Sequence, residues 1–327
     1  MRQSHSNILI TGGAGYIGSH VAEVLVKKKY NVIIFDNLIT GHKKLINKKA
    51  KFIKGDIKNF NKLSKVIKNF NINSIIHLAA FLNVSEAEKN KKKYYKNNVI
   101  GTLNLVKACK NSKVRNIIFS SSCSVYGNVN GSVKETTKTN PQGYYAYTKL
   151  KSEKIIKHYS KKLNYNYFIL RYFNVAGASK SGKIGQIESS HGQLIKNLAI
   201  TSLKKNPKVN IYGNDYNTRD GTCIRDYIHV SDLADIHAKF IQHQFTTKKS
   251  YIVNCGYGRG YTVKEVVDIF KLIKKNVVIS YQKRRPGDIG QVFANTKKIK
   301  KVIKWVPKFN NMKNIILSSI KWEKKIR

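Results

Sequence analysis

The sequence predicts an α/β protein with a doubly wound parallel sheet and a smaller C-terminal α+β domain. Three observations predict it: short β-branched runs alternate with helical patterns, a glycine-rich turn follows the first run, and the alternation stops after about residue 175. Strands that alternate with helices form a parallel sheet. We therefore expect a first domain over 1–175, with later returning segments near 226–256, and a second domain over 176–327.

The individual elements follow from the same patterns. Apolar runs too short for a helix predict strands, and the residues between them keep helical spacing. Strands are predicted in NILIT, NVIIFD, AKFIKGD, INSIIHLAA, VRNIIFSSS and YNYFILRYFN, with helices over 58–70, 91–111 and 147–163. Further on we expect a helix over 193–205, a strand in VNIYGND, a strand and helix in IRDYIHVSDLADIHAKFIQH, and one more sheet strand in SYIVNCG.

The net charge of +45 dominates the composition. A polyanion partner such as RNA would favour a concentrated, arginine-containing patch with interleaved aromatic residues. The excess here is lysine, spread along the whole chain, and asparagine is also abundant, as an AT-rich genome would encode. We therefore expect no specific nucleic-acid partner, although the charge could speed the association of an anionic substrate.

The cysteines and the hydropathy pattern indicate a cellular compartment. Cys109, Cys123, Cys223 and Cys255 have no metal-type spacing. No apolar run approaches the ~20 residues of a membrane span, and the N-terminus has no signal-peptide pattern. We expect a cytoplasmic protein with reduced cysteines, no metal site and no membrane partner.

The glycine-rich turn TGGAGYIGSH follows a strand and opens a helix. Gly13, Gly15 and Gly18 form G-x-G-x-x-G, and Gly12 with the last two forms G-x-x-G-x-x-G. Glycine lets the backbone approach a pyrophosphate, which the helix N-terminus attracts. Asp36 ends the next strand, 21 residues after Gly15, where a carboxylate can bind both ribose hydroxyls and repel a 2′-phosphate. The turn predicts a Rossmann-type sheet that binds NAD rather than NADP.

The stretch GYYAYTKLKSEK at 143–154 offers a base for chemistry beside that cofactor. Tyr145 and Lys149 are four residues apart, so a helix places both on one face. A phenol with a pKa of ~10 is a poor base near neutrality, and a nearby ammonium and the positive nicotinamide ring both lower that pKa. Tyr147 and Lys151 have the same spacing, so this stretch alone leaves two pairs open.

A second group of residues decides between the pairs. The strand end IIFSSSCSVYG supplies Ser122 and Ser124, whose hydroxyls can orient a substrate hydroxyl and relay its proton. The glycine turn, Asp36, this serine cluster and Y-x-x-x-K occur in the order that a nicotinamide-dependent enzyme needs. We therefore select Tyr145 with Lys149.

This set of motifs resembles the extended short-chain dehydrogenase/reductase family and, within it, the UDP-sugar 4-epimerases. The resemblance covers nearly the whole chain, in TGGAGYIGSH, FDN, GDI, HLAA, YYKNNVIGTLNL, SSSCSVYGN, YYAYTK, RYFNVAGA, YGNDYNTRDGTCIRDYIHVSDLADIH, NCGYG and RRPGD. The run from Tyr212 to His237 is especially typical of the epimerases, because other branches diverge there. The resemblance implies an NAD-binding domain over 1–175, a nucleotide-sugar-binding domain over 176–327, and a homodimer through the helices over 91–111 and 147–163.

The resemblance also implies a role for each matching residue. Tyr145 is the base, Lys149 lowers its pKa and holds the nicotinamide ribose, Ser122 relays the proton and Ser124 assists. Cofactor contacts are implied for Gly12, Gly15, Tyr16, Ile17, Gly18, Asp36, Asn37, Asp56, Ile57, Asn97, Tyr145, Lys149 and Phe173. Contacts with a UDP-sugar are implied for Ser122, Tyr145, Asn174, Gln193, Arg225, Arg285, Asp288 and Val292. Two arginines suit a diphosphate and an aspartate suits a ribose.

The implied reaction inverts C4 of a UDP-hexose through a transient 4-keto sugar, with NAD regenerated in each cycle. The chain departs from the family pattern at Leu82, where many members have lysine, and at Gln193, where asparagine or histidine is usual. Val292 stands where epimerases restricted to glucose and galactose usually carry tyrosine. A small residue there implies turnover of UDP-GlcNAc and UDP-GalNAc as well.

Other functions remain as alternatives at this stage. A 4,6-dehydratase needs an acid and a base after the relay position, usually Asp-Glu, whereas this chain has Cys123 and Ser124. A UDP-pentose 4-epimerase differs only in its pocket lining and stays open, as does another nucleotide-sugar-modifying enzyme of the same family, such as a decarboxylase. A non-catalytic binding relative would lose Tyr145 or Lys149, and both are present.

Overall fold

The structure is a computed structural model that describes residues 6–187, 193–244, 247, 249–285 and 288–327. The strands are β1 Asn7–Thr11, β2 Asn31–Asp36, β3 Lys51–Lys54, β4 Ser74–His77, β5 Asn116–Ser122, β6 Asn130–Val133, β7 Asn166–Tyr172, β8 Asn174–Ala176, β9 Lys208–Tyr212, β10 Ile224–His229, β11 Tyr251–Cys255, β12 Gly260–Thr262, β13 Val278–Gln282 and β14 Gln291–Ala294. The helices are α1 Tyr16–Lys27, α2 Phe60–Asn69, α3 Val84–Lys89, α4 Lys91–Tyr94, α5 Gly101–Ala108, α6 Tyr144–Leu163, α7 Leu194–Thr201, α8 Val230–His243, α9 Val263–Lys271, α10 Lys297–Ile303 and α11 Met312–Ile326.

The chain forms two compact units. The first contains Met1–Val125, Pro141–Arg171 and Ala234–Val253, and the second contains Tyr126–Asn140, Tyr172–Leu233 and Asn254–Arg327. The chain thus crosses between the units more often than a single boundary at residue 175 implies. Residues 126–140 belong to the second unit because β6 pairs with β14, which lies far along the chain.

The first unit is built on a seven-stranded sheet in the order β11-β7-β5-β4-β1-β2-β3. The pairs β1–β2, β1–β4, β2–β3 and β4–β5 are parallel, which confirms the predicted α/β fold class. Apolar side chains such as Leu9, Phe35, Ile75 and Ile117 are fully buried in the core of this unit. Because these strands are parallel, their carboxyl ends meet at one edge, where the glycine turn, Asp36 and Ser122 follow or end their strands.

The second unit contains a five-stranded sheet in the order β12-β10-β14-β6, with β8 beside β10, and a two-stranded sheet of β13 and β9. Its core includes Leu198, Val266, Phe270 and Ile316, from helices α7, α9 and α11. Among the described residues, no helix combines the length and the apolar character that crossing a membrane requires.

Two helices differ from their predicted form. The helix predicted over 147–163 begins at Tyr144, so Tyr145 lies in its first turn. Glu88 accepts the backbone N–H of Tyr144 at 2.5 Å and satisfies a donor that Gly143, the N-cap, leaves without a side-chain partner. The helix predicted over 91–111 is interrupted, because π-helical turns over Tyr95–Ile100 separate α4 from α5.

Candidate active site

The glycine turn closes tightly after β1. Gly12 has φ +75°, a conformation that favours glycine, and a Cβ there would lie 2.7 Å from the backbone nitrogen of Ala79. A Cβ at Gly18 would overlap the carbonyl oxygen of Gly12, whereas one at Gly15 would lie 3.3 Å from the same oxygen. Gly12 and Gly18 are therefore required by packing within the chain. The contact at Gly15 is tight but much less severe, so packing within the chain restricts Gly15 less than Gly18.

Helix α1 begins directly at this turn. Its N-cap is Gly15, which makes no side-chain capping bond, and the N-terminus of a helix attracts an anion. Tyr16 and Ile17 are half-buried in the first turn, and the Tyr16 ring meets His20 edge-on at 5.4 Å between centroids. Burial raises the pKa of the Tyr16 phenol, so that hydroxyl stays protonated. This helix end can hold a pyrophosphate.

Asp36 is fixed at the end of β2 by the backbone. One carboxylate oxygen accepts the N–H of Ala14 at 3.0 Å and the other accepts the N–H of Leu38 at 2.8 Å. Each oxygen keeps a further lone pair for a hydroxyl donor. Burial raises the pKa of Asp36, and the two backbone N–H groups oppose that rise. The group can therefore hold a ribose.

Gly41 completes the surroundings of Asp36 and was not found by sequence reasoning. A Cβ at Gly41 would lie 2.7 Å from a carboxylate oxygen of Asp36 and 2.9 Å from the Cβ of Ala14. An isolated glycine in a polar loop gives no signal of these contacts, because Ala14 is brought next to Gly41 only by the fold.

The remaining predicted cofactor residues of the first unit lie on neighbouring loops and helices. The amide of Asn37 donates to Asp56 at 3.1 Å, which joins the loops that follow β2 and β3. Ile57 is buried, and Asn97 is buried in the π-helical turns, where its amide donates to Asn98 at 3.1 Å. The structure therefore brings Asn37 and Asp56 into contact.

Tyr145, Lys149, Ser122 and Ser124 come together between β5 and α6. The Ser124 hydroxyl donates to Ser122 at 2.9 Å, and the Ser124 backbone N–H donates to the same oxygen at 3.2 Å. The Ser122 hydroxyl also acts on the Tyr145 phenol, whose pKa it lowers by favouring the phenolate. Ser124, Ser122 and Tyr145 thus form a group of three hydroxyls from which a proton relay can be built.

Burial shifts the pKa values of Tyr145 and Lys149 in opposite directions. It raises the pKa of Tyr145, and the Ser122 hydroxyl opposes that rise. It lowers the pKa of Lys149 to about 7, against the charge of Glu153. Lys149 is 1% exposed, donates to the Ser120 carbonyl at 2.7 Å, and lies 5.9 Å from the centre of the Tyr145 ring. The amino group is therefore next to the phenol but bonded to the strand.

His77 reinforces the same edge of the sheet. Its Nδ1 lies 2.7 Å from the Thr11 hydroxyl and its Nε2 lies 2.9 Å from the Thr102 hydroxyl. Thr102 gives its own proton to the Asn98 carbonyl at 2.6 Å, so the His77 Nε2–H must be the donor to Thr102. Burial and the charge of Lys149 lower the pKa of His77 to about 3, which keeps the ring neutral. His77 is a structural link here.

Asn98 is a residue that sequence reasoning missed. Its side chain accepts the Phe81 N–H at 2.9 Å and donates to the Phe81 carbonyl at 3.1 Å. The same amide donates to Thr148 at 3.2 Å, and the Asn98 carbonyl accepts the Ser152 hydroxyl at 3.0 Å. Asn98 therefore joins the loop after β4 to the helix that carries Tyr145. The adjacent asparagines in YYKNNV were a signal, but sequence alone does not separate their roles.

The second unit brings together four of the predicted substrate residues. The carboxylate of Asp288 pairs with Arg285 at 2.9 Å and lies 3.9 Å from Arg225. Arg285 also lies over the Tyr212 ring, at 5.0 Å from its centre. Val292 is the register partner of Arg225 in the sheet. The two guanidinium groups form a cationic cluster that suits a diphosphate.

Asn174 and Gln193 line a cavity in the second unit, together with Lys196, Trp322 and Glu323. The side-chain oxygen of Gln193 is buried and has no hydrogen-bond partner among the described residues, so it can accept a hydrogen bond from a ligand. Phe173 directly precedes Asn174 and is buried. Its N–H donates to the Cys255 carbonyl at 3.1 Å. Leu82 lies in the first unit and is 43% exposed.

Comparisons with known proteins show which proteins this chain resembles. The UDP-glucose 4-epimerase of Lactobacillus helveticus is 38% identical to this chain and covers 97% of each sequence. The solved structure of UDP-glucose 4-epimerase from Bifidobacterium longum in complex with NAD+ and UDP is similar with a TM-score of 0.90, at 33% identity over 98% of each chain. The UDP-Glc/GlcNAc 4-epimerase of Campylobacter jejuni is similar with a TM-score of 0.85, at 36% identity over 98% of this chain and 99% of that one.

A model of one protein family also matches this sequence. It matches residues 8–256, which include the glycine turn, Asp36, the serine cluster and Tyr145 with Lys149. The match spans most of the chain, and the relatives cover nearly all of it. The chain belongs to the NAD dependent epimerase/dehydratase family.

Proposed function

We propose that this protein is an NAD-dependent UDP-hexose 4-epimerase that inverts C4 of UDP-glucose and UDP-galactose. The observation that carries the proposal is the group formed by Tyr145 and the hydrogen-bonded hydroxyls of Ser124 and Ser122, beside the buried Lys149. This arrangement lies in the same unit as the glycine turn and Asp36. The names of the relatives support the same activity.

The residues of the first unit fit NAD. The turn at Gly12, Gly15 and Gly18 with the uncapped start of α1 would hold the pyrophosphate, and Asp36 would hold the adenosine ribose. A 2′-phosphate would be repelled by that carboxylate, so NAD is preferred to NADP. When bound, NAD supplies a hydride acceptor that returns the hydride later in the cycle.

The side chains of this chain supply positioning and proton transfer. Tyr145 removes the proton from the 4′-hydroxyl, and Ser122 orients that hydroxyl from the end of β5. Lys149, as an ammonium, stabilises the phenolate. Arg225 and Arg285 would hold the diphosphate while the 4-keto sugar turns about its phosphate linkage and presents its other face. Tyr145 then returns the proton, and the configuration at C4 is inverted.

The lining around Val292 supports a wider range of sugars. Val292 lies in β14 between Arg225 on one side and Gly131 of β6 on the other. Among the described residues, a Cβ added at Gly131 would meet only Phe293, at 3.9 Å, so there is space at the register partner of Val292. We therefore include UDP-GlcNAc and UDP-GalNAc among the substrates. The relative named for both UDP-Glc and GlcNAc is in keeping with this.

The first experiment is an NMR readout of purified protein given UDP-galactose and UDP-GalNAc separately, with no added NAD. We expect both to be converted by retained cofactor. Conversion of UDP-galactose alone would keep the epimerase and refute the wide pocket. Conversion of neither, even with NAD supplied, would overturn the proposal and leave a different nucleotide-sugar substrate, such as a UDP-pentose, to be tested.

The substitution Val292→Tyr tests the pocket directly. The larger ring should fill the space beside Gly131, so turnover of UDP-GalNAc should fall by at least ~10-fold while turnover of UDP-galactose changes less. The measurement is the ratio of kcat/KM for the two substrates. Val292→Leu is the matched control, since it enlarges the side chain modestly and should change the ratio less. An unchanged ratio in Val292→Tyr would contradict the assignment.

Two further properties are proposed from the sequence resemblance. The protein is a homodimer through α4, α5 and α6, and it works in the cytoplasm. Sedimentation velocity tests the first and cell fractionation tests the second. A monomer at micromolar concentration would contradict the homodimer.

A further inference from the structure

Glu153 is a buried carboxylate that the proposed mechanism does not use. It lies on α6 one turn beyond Lys149 and two turns beyond Tyr145, so the three share one face of the helix. Its side chain is 0% exposed. A buried charge requires a partner and further hydrogen bonds.

Those partners come from two strands of the sheet. Arg171, at the end of β7, donates to Glu153 through Nε at 3.0 Å and through Nη2 at 2.8 Å. Ser121, next to the relay serine on β5, donates to the same carboxylate at 2.6 Å. Arg171 is 3% and Ser121 is 1% exposed. We call Ser121, Glu153 and Arg171 the carboxylate clamp; it joins α6 to the strand that carries Ser122.

The clamp adds little stability by itself. Replacing a buried ion pair by neutral side chains of similar volume is often neutral or stabilising, because desolvation offsets the attraction. A buried charge at this place therefore needs another reason. The charge of Glu153 is the feature that opposes the loss of the Lys149 proton caused by burial.

We propose that Glu153 is a positioning residue, held by Arg171 and Ser121, that keeps Lys149 an ammonium beside the Tyr145 phenol and fixes α6 against Ser122. The inference rests on the proposed function, in which Tyr145 is the base. Other titratable groups face these side chains. Lys149 faces Tyr145 on its own helix and the neutral His77 of β4. Tyr145 also faces Cys123 and Tyr94, and Glu153 also faces Lys157 and Tyr167.

The sign of the effect follows from the charges. The active state needs Lys149 protonated, so activity declines as pH rises through the pKa of that amine. Removing the Glu153 charge removes the interaction that raises this pKa. The alkaline limb of the kcat profile should then move to lower pH, by about one unit, and the Tyr145 phenol should titrate at higher pH.

The test uses the NAD-loaded enzyme with Glu153→Gln and with the double variant Glu153→Gln/Arg171→Met. The double variant also removes the Arg171 charge that Glu153→Gln leaves without its carboxylate, so it should fold even where the single variant does not. The measurements are kcat against pH for UDP-galactose, and an NMR titration of ¹³C-labelled tyrosine, with the Tyr145 signal assigned by Tyr145→Phe. Asp232→Asn is the matched control: it neutralises a carboxylate that is 1% exposed and binds the N–H groups of Lys308 and Phe309 in the second unit.

We expect the alkaline midpoint to fall by about one pH unit in the Glu153 variants and to stay in place in Asp232→Asn, and we expect Glu153→Asp to restore it. Glu153 variants with a wild-type pH profile and only a lower Tm would show a purely structural role and overturn the inference. The experiment distinguishes failure of this inference from failure of the proposed function. An inactive wild type, or an active Tyr145→Phe, refutes the proposed function. The phenol titration still reports on the clamp in either case.

Discussion

The ionisation of Tyr145 shows how single residues are balanced in this site. Burial raises the pKa of the phenol, and the Ser122 hydroxyl opposes that rise from the end of β5. Lys149 donates to the Ser120 carbonyl instead of the phenol. The chain alone therefore keeps Tyr145 protonated. A positive ring nearby would shift the balance towards the phenolate, which ties base formation to cofactor binding.

Tyr145→Phe tests the base directly. Loss of the phenol should lower kcat for UDP-galactose by about 10²- to 10⁴-fold, because general base catalysis contributes that much, with little change in substrate affinity. Steady-state kinetics with the NAD content checked by absorbance measures it. Tyr147→Phe is the control, since Tyr147 is 40% exposed and should be dispensable. The opposite result would assign the chemistry to Tyr147 with Lys151.

The choice of Tyr145 over Tyr147 could be made from sequence because the chemistry needed several motifs at once. The structure adds a physical reason, since Lys149 is buried and Lys151 is exposed. Glu153 and Asn98 could not be found in this way. Their partners, Arg171 and the backbone of Phe81, are brought near only by the fold.

At the scale of the elements, the strand–turn–helix from β1 to α1 separates two uses of glycine. Gly18 has no room for a side chain because the Gly12 carbonyl lies against it. A Cβ at Gly15 would meet the same carbonyl oxygen less closely, at 3.3 Å, so a shift of a few tenths of an ångström would accommodate it. The sequence motif treats these glycines alike. The structure shows that packing within the chain restricts Gly18 far more than Gly15.

Gly18→Ala and Gly15→Ala should therefore fail differently. Gly18→Ala should lower the Tm, with a loss of roughly 1–3 kcal/mol of unfolding free energy from overpacking. Gly15→Ala should keep a near-normal Tm without NAD but bind NAD at least ~10-fold more weakly, because the methyl group blocks the backbone's approach to the pyrophosphate. Calorimetry and NAD titration distinguish them. Equal thermal losses in both variants would contradict the separate roles.

Sequence patterns predicted the presence of these elements better than their ends. The period of apolar residues gave the sheet strands, because each is a continuous buried run. The start of α6 was predicted three residues late, at 147 rather than Tyr144, because Glu88 caps it from elsewhere in the chain. The π-helical turns were not predicted, since Asn98 there is stabilised by contacts with Phe81, Thr102 and Ser152.

At the scale of the whole molecule, the large net charge affects both the stability of the fold and its attraction for anions. The 62 Lys and Arg residues outnumber the 17 Asp and Glu residues, which gives the net charge of +45. Self-repulsion of this size destabilises the compact state, and the same field attracts anions. Both effects are screened by salt.

Raising the salt concentration from about 20 to about 200 mM should therefore act in two directions. The Tm should rise as self-repulsion is screened, while kcat/KM for the anionic UDP-galactose should fall by about three- to tenfold. The value of kcat should change little, because the chemistry occurs in the bound complex. Retention of RNA that persists at 200 mM salt would contradict the expectation of no specific nucleic-acid partner.

The π-helical turns over Tyr95–Ile100 carry one consequence for the length of the chain. Wider turns hold more residues than an α-helix of the same span, so a deletion of one residue there could be absorbed as regular helix. The residues after the deletion would then keep their orientation, so Thr102 would still meet His77 and Leu105 would stay in the core. The same deletion inside α5 would rotate every later residue of that helix by about 100° about the axis, the angle between successive residues. Between α4 and α5, the number of residues is therefore less restricted than within the helices on either side, and one-residue gaps among relatives should fall there.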